Sequence, residues 1–414
     1  MSAIVLDTEQ NLLCRIVSLG AGDARGRVPL NDPIDWPRTL RLATVALFPL
    51  LSRRLDMVEG SVPAHVRARL EAARRGNIIA HLMRVHALRD ALRELDQRGV
   101  PTVALKGIAL AHMVYADPTL RPMQDIDIWV PSDRLDDAAQ ALQIAGFHTP
   151  RRHDGLWHPG ERTPAVERIL EIRKTPLLFE LHGSLRSWAG LPAHVSETAW
   201  ARSHETQIDG LNVRVLAPTD MLLHVGLHLS RKDLFRSGLA GLLDLRLVLE
   251  QWRDLWNWAA LTDEYLRFGI DLWMRLAFHL ARELVAAPVP DDVLRVLPEP
   301  AHWQEIEALA LQQVWSAGSF MPSALASWLG AATRETRMAW VHDRLLAYTR
   351  AGPWEAGRRL WFDMTRKVPR YAKLWMRGEL RGPRLREHLR LANARSRLEA
   401  LVDDAERASV AREH

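Results

Sequence analysis

The chain has 414 residues, of which 48% are hydrophobic and 25% charged, and its net charge is +5. This composition is typical of a globular protein of two or three domains, and a single cysteine, Cys14, excludes an intramolecular disulfide framework. The longest apolar run, Ala43 to Leu51, is too short to cross a bilayer, and the first thirty residues lack the apolar core of a signal peptide. We therefore expect a cytoplasmic protein without a transmembrane segment.

Helices dominate the prediction for the first hundred residues. Residues 1–35 combine short apolar stretches with Gly- and Pro-containing breaks, and we interpret them as a weakly determined leader. Apolar residues recur at helical spacing in residues 36–99, which predicts an N-terminal helical region that Gly99 ends. The second helix of this region, from Val62, is predicted to bury one face, formed by Ile79, Leu82, Val85, Leu88 and Leu92.

Strands and helices alternate between residues 100 and 217. The predicted elements are a strand at Val100–Leu105, a turn at Lys106-Gly107, a helix at Ile108–Tyr115, a strand from Asp125, a helix at Asp133–Ala145 capped by Ser132, and strands at Leu177–Leu181 and Leu211–Leu216. This order predicts a small mixed-sheet core. With the helices before and after it, the fold class is α+β.

The C-terminal half is predicted to be helical, as a domain at residues 218–352 and a basic region at residues 353–414. Residues 355–397 contain thirteen Lys and Arg against four Asp and Glu. A segment of this charge could meet nucleic acid, an anionic membrane surface or an acidic protein. It could equally be a solvated helical face with arginine stems packed on tryptophan rings.

Two carboxylates stand on one short apolar strand, in the sequence Asp125-Ile126-Asp127-Ile128. Side chains alternate in a strand, so Asp125 and Asp127 share one face, while Ile126 and Ile128 point to the other. Two acids about 6–7 Å apart repel each other unless a cation lies between them. Hard oxygen ligands suit Mg²⁺, which commonly completes its coordination with phosphate oxygens and water. The pattern therefore predicts a metal site for phosphoryl or nucleotidyl transfer.

This part of the chain resembles the DNA polymerase beta-like nucleotidyltransferase superfamily. More narrowly, it resembles a bacterial nucleotidyltransferase family whose motif combines Leu-Lys-Gly, a Tyr, an Arg and Asp-hydrophobic-Asp. The corresponding residues are Leu105-Lys106-Gly107, Tyr115, Arg121 and Asp125-Ile126-Asp127. The broad superfamily usually has Gly-Ser or Gly-Gly where this chain has Lys106-Gly107. The resemblance covers roughly residues 76–250.

The resemblance implies Mg²⁺-dependent transfer of a nucleotidyl group from a nucleoside triphosphate to a hydroxyl or phosphate of an acceptor, which is a small molecule or a peptide. It implies two Mg²⁺ ions held by Asp125, Asp127 and a third carboxylate, for which Glu180 matches in order and local pattern. Lys106, Gly107 and Arg121 would then contact phosphates, and Tyr115 could stack on the base. His182, two residues after Glu180, and the family-matched His228 and Asp244 are candidates for the cleft.

Each assignment has a simpler structural interpretation. The Asp pair could be a solvated strand end, Glu180 an edge-strand acid, Lys106 a surface residue, and His182 or Tyr115 part of the core. Arg121 could pair with Asp117 or Asp125. His224 and His228 have the i, i+4 spacing of a zinc pair, but the sequence offers no evident third ligand.

Two further functions stay open. The first is an RNA- or protein-modifying nucleotidyltransferase that holds its acceptor with the basic region. The second is a catalytically silent interaction protein, which we would favour if Glu180 lay far from Asp125 and Asp127.

Overall fold

The structure is a computed structural model that describes residues 4–19, 27–30, 32–147, 169–174 (backbone), 177–183, 185, 188, 191–300, 302–316, 390–391, 394–395, 397–402 and 404–405. The helices are α1 Thr8–Ser18, α2 Trp36–Arg54, α3 Ala64–Gln97, α4 Lys106–Met113, α5 Leu135–Ile144, α6 Ala193–Arg202, α7 Pro218–Leu227, α8 Gly238–Gln251, α9 Trp258–Arg267, α10 Asp271–Val285, α11 Asp291–Val296 and α12 Trp303–Trp315. The strands are β1 Val28–Pro29, β2 Val58–Glu59, β3 Val103–Ala104, β4 Asp125–Trp129, β5 Ile169–Lys174, β6 Leu177–His182, β7 His204–Ile208 and β8 Leu211–Val215.

Six of these strands form one mixed sheet in the order β5-β6-β4-β3-β8-β7. Strand β4 is parallel to β6 and antiparallel to β3, while β3 is parallel to β8. The outer strands β5 and β7 run antiparallel to their neighbours. The predicted α+β fold, with a small mixed sheet among helices, is therefore confirmed.

The register of the central strands decides which side chains meet. Asp127 on β4 lies directly opposite Glu180 on β6, and Trp129 lies opposite His182. On the other side of β4, Ile128 pairs with Ala104 of β3, two residues before Lys106. Ile126 and Ile128 are fully buried, as the alternation predicts.

The segment that we interpreted as a weakly determined leader contains helix α1. Asp7 and Gln10 form a reciprocal capping box at its start, with both hydrogen bonds between 3.0 and 3.1 Å. Leu13 and Val17 are fully buried, and the helix packs on α2 and α10. Residues 8–18 are therefore a packed helix, whose apolar face is covered by the next helix, α2, and by the distant α10.

The buried face of α3 also differs from its prediction. Val85 and Leu88 are buried, but Ile79 and Leu82 are each 61% exposed. Each helical residue turns about 100°, so Ile79 and Leu82 point roughly 180° and 120° away from Leu88. The buried stripe instead continues backwards through His81, which is 3% exposed.

Helices α7, α8 and α10 pack together, and α1 and α2 join them. Among the residues described, we find no helix with the length and apolarity needed to cross a bilayer. Most of residues 355–397 lies outside the described residues, so the structure does not test the prediction for the basic region. The predicted boundaries after residues 35, 99, 217 and 352 remain predictions.

Candidate active site

Strand β4 presents its two acids at the amino end of the strand. Asp125 is half-buried, and Asp127, one pleat further in, is only 2% exposed. The backbone N–H of Leu105 donates to the carbonyl of Asp127 at 3.0 Å, which holds this end of β4 beside the start of α4. The carboxylate that sits deepest in the sheet therefore lies beside the Lys106-Gly107 turn.

Three potential metal ligands converge at Asp127. Ligand atoms of Asp127, Glu180 and His182 all lie within 4.8 Å of one another. Glu180 and His182 lie on the same side of β6 because they are two residues apart. His182 approaches both acids, with its Nε2 2.7 Å from Asp127 Oδ1 and 3.6 Å from Glu180 Oε2. Asp125 is not a member of this group, although its charge acts on Glu180.

Asp127 is the charge centre of the cluster. Lys106 donates from Nζ to Asp127 Oδ1 at 2.8 Å, and His182 reaches the same oxygen. Burial alone would raise the pKa of Asp127, but the hydrogen bond with His182 and the Lys106 ammonium outweigh it and hold the pKa below its usual value. Neither contact uses Oδ2, so an oxygen of an ionised carboxylate is left for another cation.

Glu180 and Asp125 experience the opposite balance. Burial, followed by the charges of Asp127 and Asp125, raises the pKa of Glu180 to about 7. Burial and the charge of Asp127 also raise the pKa of Asp125. Both shifts come first from burial and then from neighbouring negative charge that Lys106 does not fully compensate. Carboxylate oxygens with excess negative charge are the donor set that Mg²⁺ prefers, so these residues fit a divalent cation.

Tyr115, Arg121 and Asp244 form a second polar group. Arg121 donates from Nε and Nη2 to the two oxygens of Asp244 at 2.9 and 2.7 Å, and the Tyr115 hydroxyl donates to Oδ1 at 2.7 Å. Burial and the Asp244 charge raise the pKa of the Tyr115 hydroxyl well above its ordinary value. In this structure the bidentate edge of Arg121, which we expected on a phosphate, binds Asp244 rather than the alternatives Asp117 or Asp125.

Gly107 makes room for this arrangement. A Cβ at Gly107 would lie 3.1 Å from Arg121 Nη1 and 3.3 Å from Met123 Cβ. The missing side chain thus allows Arg121 to pass over the first turn of α4. The sequence also predicts that a phosphate approaches this backbone. It would do so from the N-terminus of α4.

His224 and His228 face the same region from α7 and the turn after it. Their ring centroids are 6.2 Å apart, and His224 stacks edge-on against Trp188 at 5.9 Å. Burial and the nearby Lys106 charge lower the pKa of both rings well below the ordinary value. Within the described residues, neither ring belongs to a group of three potential metal ligands, so no ligand set supports a zinc pair here.

Two cationic residues near the site were missed at the sequence level. Lys232 ends the π-helical turn His228–Lys232. Its charge partly offsets the rise in the pKa of Glu180 and contributes to the lowered pKa of His182. Arg84 on α3 is attracted electrostatically to Asp125. A signal existed for Lys232, since it follows His228 by four residues, one helical turn. Arg84 lies about 100° from Val85 around the helix, outside the face that we expected to be apolar, so no comparable local pattern marked it.

Comparison with known proteins decides the family. Residues 32–286, more than half of the chain, match the family described as "Uncharacterised nucleotidyltransferase". The chain belongs to this family. Nucleotidyltransferases transfer nucleotidyl groups, so the chain is placed among enzymes of that kind. The matched residues contain every member of the Asp127 cluster as well as Tyr115, Arg121 and Asp244. Neither the curated proteins nor the solved structures contain a match to this nucleotidyltransferase.

Proposed function

We propose that this nucleotidyltransferase carries out Mg²⁺-dependent transfer of a nucleotidyl group from a nucleoside triphosphate, ATP among the candidates, to a hydroxyl or phosphate of a small molecule or peptide. The observation that carries the proposal is the direct pairing of Asp127 with Glu180 in neighbouring parallel strands. We also propose that the Leu105-Lys106-Gly107 and Asp125-Ile126-Asp127 motifs mark the DNA polymerase beta-like superfamily. The single cysteine supports a cytoplasmic location.

Roles for the acidic residues follow from their charge and placement. Asp125, Asp127 and Glu180 are the groups that would hold two magnesium ions. Magnesium, when bound, supplies positive charge that orients phosphates and lowers the pKa of an acceptor hydroxyl. His182 positions the Asp127 carboxylate through their 2.7 Å contact, because burial on β6 fixes the ring.

The basic residues serve the phosphates in this proposal. Lys106 and Lys232 bring two ammonium groups into the field of the acidic cluster, where they would balance a triphosphate and the charge that develops on its leaving group. The backbone N–H groups in the first turn of α4, which contains Gly107, would bind a phosphate at the helix N-terminus. Arg121 and Tyr115 border this turn while Asp244 holds them in place, and His228 lines the cleft beside Lys106.

The acceptor is the least constrained part of the proposal. An RNA- or protein-modifying enzyme that uses residues 355–397 remains a second hypothesis, with no observation in the described residues that favours it. The third hypothesis, a catalytically silent interaction protein, would be favoured if Glu180 lay far from Asp125 and Asp127. Because Glu180 lies opposite Asp127, we do not favour it.

The test uses the full chain with each of the four nucleoside triphosphates, Mg²⁺ and candidate acceptors, and detects products by mass spectrometry. Asp125→Asn and Asp127→Asn are expected to lower turnover by about 100-fold or more, since a metal ion contributes several kcal/mol to such a transition state. Asn keeps the side-chain shape, so the fold should survive.

Asp133→Asn, at an exposed acid just beyond β4, is the matched control and should leave turnover unchanged. Unchanged turnover in Asp127→Asn would refute the metal-dependent mechanism. If the protein binds a triphosphate but modifies none of the acceptors, the result would favour a catalytically silent interaction protein.

A further inference from the structure

A second cluster of potential metal ligands lies away from the carboxylates. It consists of His81 on α3, His112 on α4 and Asp209 in the β7–β8 turn, with one ligand atom of each within 4.8 Å of the others. His81 Nε2 is 3.7 Å from Asp209 Oδ2, and His112 Nδ1 is 3.9 Å from Asp209 Oδ1. The two imidazole rings are 5.1 Å apart.

This cluster is separate from the site of nucleotidyl transfer. Asp209 lies two residues before Leu211, the first residue of β8. At the other end of this strand, Val215 pairs with Ala104, which lies two residues before Lys106. The strand between these ends spans about 13 Å. Helix α4 starts at Lys106 and carries His112 away from the Asp127 cluster.

Three of the four imidazole nitrogens are buried without a hydrogen-bond partner in the part of the chain that the structure describes. His81 is 3% exposed, and both of its ring nitrogens are buried without a partner among the described residues. His112 Nε2 is in the same condition. Buried polar atoms normally have partners, and one of these three, His81 Nε2, is the nitrogen that faces Asp209, where a metal ion could accept its lone pair. Burial also lowers the pKa of both rings, which favours the neutral form that binds metals.

We propose that His81, His112 and Asp209 bind a Zn²⁺ ion that ties α3 and α4 to the β7–β8 turn. Two nitrogens and a carboxylate oxygen suit zinc, with water as the fourth ligand, whereas Mg²⁺ prefers oxygen alone. Ligand atoms around tetrahedral zinc lie about 3.3 Å apart, so the 3.7 and 3.9 Å separations need to shrink by only about half an ångström. Asp209 is 44% exposed and gives the ion an entrance.

The test measures zinc binding by the full-length protein after treatment with a chelator. Zinc is titrated calorimetrically in the presence of excess Mg²⁺, and bound metal is quantified by elemental mass spectrometry. We expect one equivalent of zinc in the unmodified protein. His112→Asn and Asp209→Asn should each weaken binding by about 100-fold or more, because even indirect supports of a metal ligand are worth 10–100-fold.

Asp209 has φ +46°, a left-handed conformation that Asn also adopts, so Asp209→Asn should keep the turn intact. His86→Asn is the matched control, since His86 lies on the same helix, is exposed and, among the described residues, pairs with Asp90 one turn away. Asp127→Asn is the control for zinc bound at the acidic cluster. Both control variants should retain the zinc.

Absence of zinc binding in the unmodified protein would overturn the proposal. So would binding that survives in Asp209→Asn and His112→Asn, or that is lost only in Asp127→Asn. A thermal melt gives an independent readout, because zinc should raise the melting temperature of the unmodified protein and of His86→Asn, but not of Asp209→Asn. The proposal does not depend on nucleotidyl transfer, so either can fail alone.

Discussion

Lys106 combines a strained backbone with a buried ion pair. Its φ is +37°, in the left-handed region that favours glycine, and its ammonium binds Asp127 at 2.8 Å. The resembling superfamily usually has glycine at this position, which agrees with the backbone conformation. The left-handed backbone at Lys106 is unfavourable for a residue with a Cβ, but it places the Lys106 ammonium beside the carboxylate of Asp127.

Because of this left-handed backbone, we expect Gly to be more stable than Ala at position 106, the reverse of their usual order in a helix. Lys106→Gly and Lys106→Ala both remove the ammonium, but only the Ala variant keeps a Cβ in a left-handed backbone. We expect the free energy of unfolding of Lys106→Gly to exceed that of Lys106→Ala by about 1 kcal/mol in urea denaturation.

Arg89 supplies the control, because it is exposed within helix α3. There the normal helix preference should hold, with Arg89→Ala more stable than Arg89→Gly by about 1 kcal/mol. If Lys106→Ala is as stable as Lys106→Gly, the left-handed conformation is not a constraint on the site.

At the scale of elements, Asp244 connects α8 to the loop between α4 and β4. Its two oxygens receive Arg121 bidentately and its Oδ1 also accepts from Tyr115, across more than 120 residues of sequence. The side chains of Arg121 and Asp244 are largely buried, so the pair is poorly replaced by water. The contact fixes the helical part of the chain against the turn that carries Lys106 and Gly107.

Removing this connection should cost stability in a graded manner. Asp244→Asn leaves the Arg121 charge without its carboxylate and is expected to lower the free energy of unfolding by about 2–3 kcal/mol. Tyr115→Phe deletes one hydrogen bond and should cost about 1 kcal/mol. The two losses should not add in the double variant, because both act through Oδ1; independent losses would show that the three residues do not form one unit.

Elements were predicted best where the signal was local. The Asp125 strand, the Leu177 and Leu211 strands and the glycine stop at Gly99, with φ +58°, all follow from alternation or from one residue. The helix predicted at Asp133–Ala145 is present as α5, but it starts at Leu135 after a 3₁₀ turn, Ser132–Arg134, so its N-cap residue is Arg134 rather than the predicted Ser132. Helix α1 has a local signal that we did not use, the capping box of Asp7 and Gln10, whereas the buried face of α3 depends on its packing against α2 and α5.

At the scale of the whole molecule, one arginine joins three helices. Arg246 of α8 donates from Nη1 to the carbonyl of Ser18 at the end of α1 at 2.7 Å and to that of Val285 at the end of α10 at 2.8 Å. Helix C-termini leave carbonyls without internal partners, so a buried guanidinium satisfies both ends at once. The first helix of the chain is thereby attached to helices more than 200 residues later.

Cys14 reports on this attachment. It is 7% exposed on α1, and burial raises the pKa of its thiol to about 12, so it should react slowly with a thiol reagent at neutral pH. Arg246→Met is expected to speed its labelling by about 10-fold or more under native conditions, since hydrogen bonds from a charged group contribute about 1.5–3 kcal/mol.

Arg253→Met, at an exposed arginine just after α8, should leave the labelling rate unchanged. Because Cys14 is the only cysteine of the chain, the signal has a single source. Equal rates in Arg246→Met and the unmodified protein would mean that Arg246 does not hold α1 in place, and that its apolar face and the Arg54 hydrogen bonds to the Ile16 and Val17 carbonyls are sufficient.

By itself, the sequence determined the strand that carries Asp125 and Asp127, the glycine-bearing turn before it, and the resemblance that points to nucleotidyl transfer. These features depend on residues that are neighbours along the chain, where strand alternation and turn chemistry act directly. Only the tertiary structure decided that Lys106 and His182 share one oxygen of Asp127, that Arg121 binds Asp244, and that His81, His112 and Asp209 meet. Such contacts depend on strand register and helix packing between distant segments, which no local pattern encodes.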